Sequence, residues 1–208
     1  MDHFVYRNNE LFCEEVPVAD LVAQYGTPLY IYSRRTLLDH YRKLDGALRD
    51  LDHLICYSVK TNGNLAVLRA LHDAGSGFDI VSGGELFRVQ RAGGDPARVV
   101  YAGVGKRDDE IAQALAAGIC MFNCESFAEL EAINRVAAGL NLTARCALRI
   151  NPDVDAHTHA HITTGIAENK FGILIPEAGE IYARARQLPA VQLCDVHVHL
   201  GELAGAGV

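Results

Sequence analysis

The chain has 208 residues, of which 50% are hydrophobic and 22% are charged, so it can bury a sizeable core and is not wholly disordered. The 26 acidic residues outnumber the 19 Lys and Arg residues, which gives a formal net charge of -7. An acidic chain has no general attraction to phosphate backbones or anionic lipid surfaces. Neither nucleic acid nor a membrane is therefore expected as a partner.

The N-terminus and the cysteines together predict a cytoplasmic location. Residues 1–10 mix acidic, basic and aromatic side chains and lack the apolar run of a secretory signal. No stretch approaches the roughly 18 apolar residues that a membrane-spanning helix needs. The six cysteines are scattered, several of them inside apolar runs, which favours buried reduced thiols over disulfides.

Apolar, β-rich runs alternate with helical patterns along most of the chain. An extended segment at 28–32 and an amphipathic helix at 36–48 come first. Strands are then predicted at 54–59, 78–81, 99–102, 119–124, 143–150 and 191–200. Helices are predicted between them at 64–75, 84–91, 108–117, 126–138 and 176–187.

This order of elements predicts an α/β fold in which helices cover a parallel sheet. Six strands are consistent with a partial (β/α)8 TIM barrel, of which about six of eight strands are present, and also with a doubly wound open sheet. No G-x-G-x-x-G segment follows any strand, which weighs against a dinucleotide-binding form of the open sheet.

Polar side chains stand where several predicted strands end, and in parallel α/β folds the carboxyl ends of the strands form the functional face. They are Lys60, Asn62, Asp79, Ser82, Glu125, Arg149, Asn151, His197 and His199. Lys60 follows an apolar strand, and two interpretations of it stay open. It is either a lysine that extends from the sheet end into water or a desolvated amine suited to condensation with a carbonyl group.

Several segments resemble the pyridoxal-phosphate-dependent decarboxylases of the alanine racemase-like fold type. Residues 57–62 read YSVKTN, which is similar to the family's Y-A-V-K-A-N cofactor-attachment motif. Further matches follow in the family's order: GFDIVSGGEL at 77–86, LRINPDVDA at 148–156, the polar segment 158–172, and HVHLG at 197–201. The opening YGTPLYIY at 25–32 is typical of the diaminopimelate decarboxylases within that family.

The resemblance implies a cofactor, a reaction and a set of site residues. Lys60 would be the catalytic lysine that carries pyridoxal 5'-phosphate, and His199 would stack on the pyridine ring. The other residues implied in cofactor binding are Asp79, Glu85, Arg149 and Gly201. The implied reaction is the decarboxylation of meso-diaminopimelate to L-lysine, in which the cofactor ring withdraws electrons from the bond that breaks at Cα.

The sequence also departs from the family pattern. Glu202 stands where the family has a serine that helps to bind the phosphate. We therefore expect three parts: 1–34, which would join a β-domain in the full-length family; an incomplete cofactor-binding barrel at 35–201; and an atypical tail at 202–208. An incomplete barrel leaves strand edges unpaired, so we expect little or no turnover and a tendency to self-associate, whereas the full-length family forms homodimers.

Two other functions stay open. His197 and His199 form an H-x-H at a strand end and, with the alternating His157, His159 and His161, could serve a metal-dependent hydrolase. Against this, the pair lies on about the sixth strand, whereas such hydrolases carry it on the first. The second open function is that of a single-domain protein that binds pyridoxal phosphate without decarboxylase activity. Against it, residues 4–28 resemble the stretch that joins the decarboxylase β-domain.

Overall fold

The structure of the protein, a computed structural model, describes residues 3–151 and 171–199. The chain begins with a small antiparallel sheet of β1 (Phe4–Arg7), β2 (Glu10–Cys13) and β3 (Val16–Pro17), followed by α1 (Val18–Tyr25). Asn8 and Asn9, between β1 and β2, both have positive φ, as a tight two-residue hairpin turn requires. The sequence pattern did not predict these elements. Strands of two to four residues are too short to show a hydrophobic period.

The second sheet and its helices alternate along the rest of the chain. The strands are β4 (Cys56–Ser58), β5 (Gly77–Ile80), β6 (Val99–Tyr101), β7 (Met121–Cys124), β8 (Ala144–Asn151), β9 (Ile173–Leu174) and β10 (Val191–Val198). The helices are α2 (Arg34–Ala47), α3 (Leu65–Asp73), α4 (Gly83–Arg91), α5 (Asp108–Ala117), α6 (Phe127–Gly139) and α7 (Ile175–Ala185), with 3-10 turns at Val59–Thr61 and Pro96–Arg98. Every helix and strand predicted for this region is confirmed, although most of the strands are shorter than predicted. Strand β9 was not predicted, and the extended segment at 28–32 lies outside both sheets.

The strands of the second sheet run parallel and lie side by side in chain order. β4 pairs with β5, β5 with β6, β6 with β7, β7 with β8 and β8 with β10, while β9 pairs with the end of β8. Consecutive helices from α2 to α7 contact one another in the same order. A doubly wound sheet reverses its strand order at a switch point, whereas a (β/α)8 barrel does not. The unbroken strand order therefore excludes the doubly wound sheet and identifies these strands as part of the wall of a barrel.

Side chains of the second sheet alternate between two faces. The outer face packs against the helices and holds the apolar core, which includes Phe78, Ile80, Val99, Tyr101, Phe122, Cys146 and Leu148. The inner face carries the alternate residues, several of them polar: Ser58, Asp79, Asn123 and Arg149. Because every strand is parallel, the carboxyl ends meet at one edge, and the polar residues of the inner face meet there too.

Serine caps fix two of the turns that lead from a strand into a helix at this edge. Ser82 Oγ accepts a hydrogen bond from Glu85 N at the start of α4, and Ser126 Oγ accepts one from Glu129 N at the start of α6. Each cap satisfies an N–H group that the helix start would leave free. In the described part of the chain, no helix is long and apolar enough to cross a membrane.

Candidate active site

A cavity of about 750 Å³ opens at the carboxyl edge of the second sheet, a volume typical of small-ligand sites. It is lined by Cys56, Ser58, Lys60, Thr61, Asp79, Val81, Val100, Ala102, Gly103, Val104, Asn123, Glu125, Arg149, Phe171, His197 and His199. Lys60, Asp79, Arg149 and His199, four of the predicted site residues, therefore border one cavity.

Lys60 lies in the 3-10 turn Val59–Thr61, directly after β4. Val59 is 1% exposed and anchors the turn in the core, whereas Lys60 is exposed and borders the cavity. In the described structure Lys60 is therefore uncovered, and its role as the amine that condenses with a carbonyl group stays a prediction. β4, which leads into this turn, has a neighbour on one side only among the described strands.

Asp79 lies on β5, beside the strand that leads to Lys60. Ser58 Oγ donates a hydrogen bond to Asp79 Oδ2 at 2.9 Å, while Asp79 Oδ1 is buried without a partner among the described residues. Burial raises the pKa of the Asp79 carboxyl, and the Ser58 hydrogen bond and the charge of Lys60 oppose that shift. The free oxygen is therefore available to a polar group of a ligand.

Arg149 on β8 is held by Glu125, the residue after β7. Arg149 Nη1 donates a hydrogen bond to Glu125 Oε1 at 2.7 Å, and the two side chains are 15% and 7% exposed. The guanidinium carbon of Arg149 also lies 5.3 Å from the centre of the Phe171 ring. A charge-assisted bond between two such buried groups restricts both side chains, so Arg149 presents its charge to the cavity from a fixed position.

His197 and His199 reach the cavity because β10 contains a bulge. The pairing of β10 with β8 shifts register between Leu193 and Asp195, and beyond the shift His197 pairs with Arg149. Leu193 packs against the core of the outer face. Since side chains alternate along a strand, His197 would share that face if the register did not shift. The bulge turns both histidines to the inner face, where they line the cavity.

His197 is a neutral imidazole at the cavity wall. Burial, the main cause, lowers the pKa of His197 to about 4, and the charge of Arg149 adds to this effect. Its Nδ1 atom is buried and has no hydrogen-bond partner among the described residues. A neutral imidazole carries one donor and one acceptor nitrogen, so His197 can bind a polar group of a ligand.

The remaining predicted site residues stand apart from this cavity or outside the described residues. Glu85 Oε2 accepts a hydrogen bond from Val81 N at 2.8 Å, and Glu85 does not line the cavity. Burial raises the pKa of the Glu85 carboxyl. Gly201 and the three histidines at 157–161 lie outside the described residues. Within residues 3–151 and 171–199, no group of three or more His, Cys, Asp or Glu is placed to hold a metal ion.

Two charged residues behind the cavity wall were not predicted. Lys106 and Glu129 form an ion pair in which the side chains are 1% and 13% exposed. The S-x-x-E spacing of Ser126 and Glu129 is a signal for a helix start, which could have drawn attention to Glu129. No sequence signal shows that Lys106, in a different loop, meets this carboxylate.

The residues of the cavity fit pyridoxal phosphate. They offer the amine of Lys60, the charge of Arg149, and buried polar atoms without partners on Asp79, Glu125 and His197. Unpartnered buried polar atoms are rare in folded proteins, and three of them at one cavity are expected where a bound ligand supplies the partners. A lysine amine with nearby acidic and cationic groups is the set that this cofactor requires.

Known proteins are similar to this chain in sequence. Residues 34–204 match the family described as "Pyridoxal-dependent decarboxylase, pyridoxal binding domain". Diaminopimelate decarboxylase of Vibrio cholerae is 52% identical over 202 residues, which are 97% of this chain and 48% of that protein. The Pseudomonas aeruginosa enzyme of the same name is 51% identical over 201 residues, with the same two shares. The chain thus spans about half the length of the curated relatives it matches.

Solved structures agree with the fold. The crystal structure of diaminopimelate decarboxylase from M. jannaschii in co-complex with L-lysine has a TM-score of 0.88 at 32% identity, covering 96% of this chain and 48% of that one. The Helicobacter pylori enzyme complexed with L-lysine has a TM-score of 0.85 at 40% identity, covering 89% and 47%. The predicted α/β partial barrel is confirmed. With most of its length matched by the pyridoxal binding domain, the chain belongs to the pyridoxal-dependent decarboxylase family, whose cofactor is pyridoxal 5'-phosphate.

Proposed function

We propose that this chain is the cofactor-binding part of a diaminopimelate decarboxylase in which Lys60 carries pyridoxal 5'-phosphate. The observation that carries the proposal is the convergence of Lys60, Asp79, Arg149 and His199 on one cavity. The substrate class is supported by relatives of that name at 52% and 51% identity and by solved relatives complexed with L-lysine. The reaction is then the release of carbon dioxide from meso-diaminopimelate, which gives L-lysine.

Each residue of the cavity has a part in this proposal. Pyridoxal phosphate, when bound, supplies an aldehyde for a lysine amine and a ring that withdraws electrons from a bond at Cα of an amino acid. Lys60 supplies the amine, and its uncovered position leaves it accessible. Asp79 Oδ1 accepts a hydrogen bond from a ligand donor, and Arg149 attracts an anionic group. His199 covers the ring, while Glu85 and Gly201 complete the proposed cofactor contacts.

The organisation of the chain forms a second part of the proposal. In the proposed division into 1–34, 35–201 and 202–208, the first boundary is supported by the separate antiparallel sheet at the N-terminus and by the start of the family match at residue 34. The match ends at residue 204, so it does not support the boundary at 202. Little turnover by these 208 residues is supported by exposed Val196 and Val198 on β10, the last strand of the described sheet, because a complete barrel would cover them. Homodimer formation by the full-length protein stays a prediction. A cytoplasmic location is supported by the six free cysteines.

Covalent labelling tests the assignment of Lys60. The purified protein is mixed with pyridoxal 5'-phosphate, reduced with borohydride, digested and analysed by peptide mass spectrometry. We expect a pyridoxyl label on Lys60 and loss of both this label and the visible absorbance band in Lys60→Ala. The matched control is Lys43→Ala, which removes an exposed lysine of α2 and should keep both signals.

Two results would contradict the proposal. An absorbance band of unchanged height in Lys60→Ala would show that another residue carries the cofactor. Rapid release of carbon dioxide from meso-diaminopimelate by the 208-residue chain itself would contradict the expectation of little turnover. The two measurements are separate, because the first tests cofactor binding and the second tests the complete reaction.

A further inference from the structure

The side chain of Lys106 is buried where the turns after β6 and β7 meet. Only 1% of this side chain is exposed. Its Nζ donates hydrogen bonds to Gly103 O at 2.7 Å, to Asn123 O at 2.9 Å and to Glu129 Oε1. An ammonium group has three N–H donors, and here each has an oxygen acceptor. The lysine is thus fully satisfied, and it ties the end of β7 and the start of α6 to the loop after β6.

The same contacts continue from Glu129 to the cavity. Glu129 Oε2 accepts a hydrogen bond from Glu125 N at 2.7 Å, so this carboxylate binds Lys106 with one oxygen and the backbone of Glu125 with the other. The side chain of Glu125 in turn accepts the 2.7 Å hydrogen bond from Arg149 Nη1. Four charged residues from three successive strand ends therefore form one continuous chain of contacts that ends at the cavity wall, and the backbone N–H of Glu125 is the link between the two glutamates.

We propose that Lys106 is a positioning residue, which sets the place of the Arg149 guanidinium in the cavity through Glu129 and Glu125. Burying an ammonium and three other charges is costly, and such groups are retained only with complete pairing. Without the charge of Lys106, Glu129 loses its partner and the backbone at Glu125 loses a fixed acceptor. The orientation of the Glu125 carboxylate is then free to change, and Arg149 changes with it. The inference rests on the proposed function insofar as Arg149 faces the bound cofactor.

The experiment must distinguish positioning of Arg149 by Lys106 from a purely structural role of this lysine. Glu110 provides the comparison, because it also joins two turns at this edge. Its carboxylate accepts hydrogen bonds from Gly83 N at 2.9 Å and from Arg107 N at 3.3 Å, and its side chain is 15% exposed, close to the 13% of Glu129. None of these described contacts leads to Arg149. A variant at Glu110 should therefore lower stability without affecting the arginine.

The experiment compares Lys106→Met with Glu110→Gln by two measurements. The first is the rate at which phenylglyoxal modifies Arg149, followed by peptide mass spectrometry without cofactor. We expect about a tenfold increase in Lys106→Met and no change in Glu110→Gln, since a hydrogen bond to a charged group is worth a decade or more in an equilibrium constant. Glu129→Gln, which can accept only one of its two hydrogen bonds, is the second variant if Lys106→Met does not fold by circular dichroism.

The second measurement is the Kd of pyridoxal 5'-phosphate, taken from the absorbance band in a double-mutant cycle with Arg149→Met. Lys106→Met should weaken binding by about tenfold in the wild-type background and by less than twofold in Arg149→Met, because the lysine acts through the arginine. Equal phenylglyoxal rates in Lys106→Met and Glu110→Gln would overturn the inference. If the unaltered protein gives no absorbance band, the proposed function fails, but the arginine rates still decide the role of Lys106.

Discussion

The two faces of the second sheet are built from alternate residues of the same strands, yet they do different work. On the outer face, Phe78, Tyr101 and Phe122 are at most 1% exposed and pack against the helices. Asp79 comes directly after Phe78 in the sequence, and Asn123 directly after Phe122, but both lie on the inner face and line a cavity. Of the four unpartnered buried side-chain atoms found in the described residues, three line that cavity and the fourth is the Tyr101 hydroxyl. The outer face stabilises the fold, and the inner face is left to bind a ligand.

Val99 and Val100 give the sharpest test of this difference, because they are identical neighbours on opposite faces of β6. Val99 is 0% exposed in the core, whereas Val100 is half-buried and lines the cavity. Val99→Ala should lower the free energy of unfolding by about 2 kcal/mol, since it removes two buried methyl groups and leaves a void. Val100→Ala should cost less than about 1 kcal/mol. Urea denaturation measures both, and equal losses would mean that the faces are equally packed.

Burial of His197 on the inner face should make the free energy of unfolding depend on pH. Burial lowers the pKa of His197 to about 4 from its usual 6.5, so between these values the unfolded chain binds a proton that the folded protein excludes. The contribution to stability is therefore complete above pH 6.5 and is lost as the pH falls toward 4. We expect a loss on the order of 1–2 kcal/mol, reduced by partial access of water to the ring. Urea denaturation at pH 7 and pH 4.5 measures it, and His197→Gln should flatten the slope.

His53 is the control for that measurement because its shift has the opposite sign. A hydrogen bond with the Leu51 carbonyl, assisted by Asp45, raises the pKa of His53. Its contribution is present at low pH and is lost as the pH rises through the raised value. His53→Gln should therefore steepen the fall in stability on acidification. A slope that flattens equally in both variants would rule out burial of His197 as its cause.

The cysteines test the same comparison through their alkylation rates, where the expected effect is the smallest because the first alkylation should leave stability unchanged. Cys124 and Cys146 are buried on the outer face, and Cys194 is exposed at the bulge of β10. Burial raises the pKa of Cys56, on the inner face, to about 11, which keeps its thiol protonated. With iodoacetamide at pH 8, Cys194 should react at least about tenfold faster than the other three. Peptide mass spectrometry gives the rates, and Cys194→Ser should remove the fast phase.

Much of the barrel could be predicted because its elements are locally encoded. The helix predicted at 108–117 has those bounds in the structure, since an acidic first turn and Gly118 in the left-handed conformation mark its two ends. The strand predicted at 191–200 is confirmed over Val191–Val198. The N-terminal hairpin was not predicted, although Asn8 and Asn9 suit the positive φ of its turn, because its strands are too short to show a period.

The site was predictable where a residue follows a strand, and unpredictable where contacts join distant turns. Lys60, Asp79 and Arg149 were expected at the carboxyl edge because parallel strands end together there. Lys106 and Glu129 lie 23 positions apart, and only the packing of β6 beside β7 brings them into contact. The pairing of β10 with β8, and with it the place of His197 opposite Arg149, likewise depends on residues far apart in the sequence.

By itself, the sequence determined that strands and helices alternate and that polar residues end the strands, because hydrophobic periods and turn residues act over a few positions. The tertiary structure decided three matters that depend on distant pairing. Strand order excluded the open sheet, and the contacts of Lys106 joined two loops. The bulge at Cys194 determined which face His197 occupies, since a shift of one residue reverses every side chain beyond it.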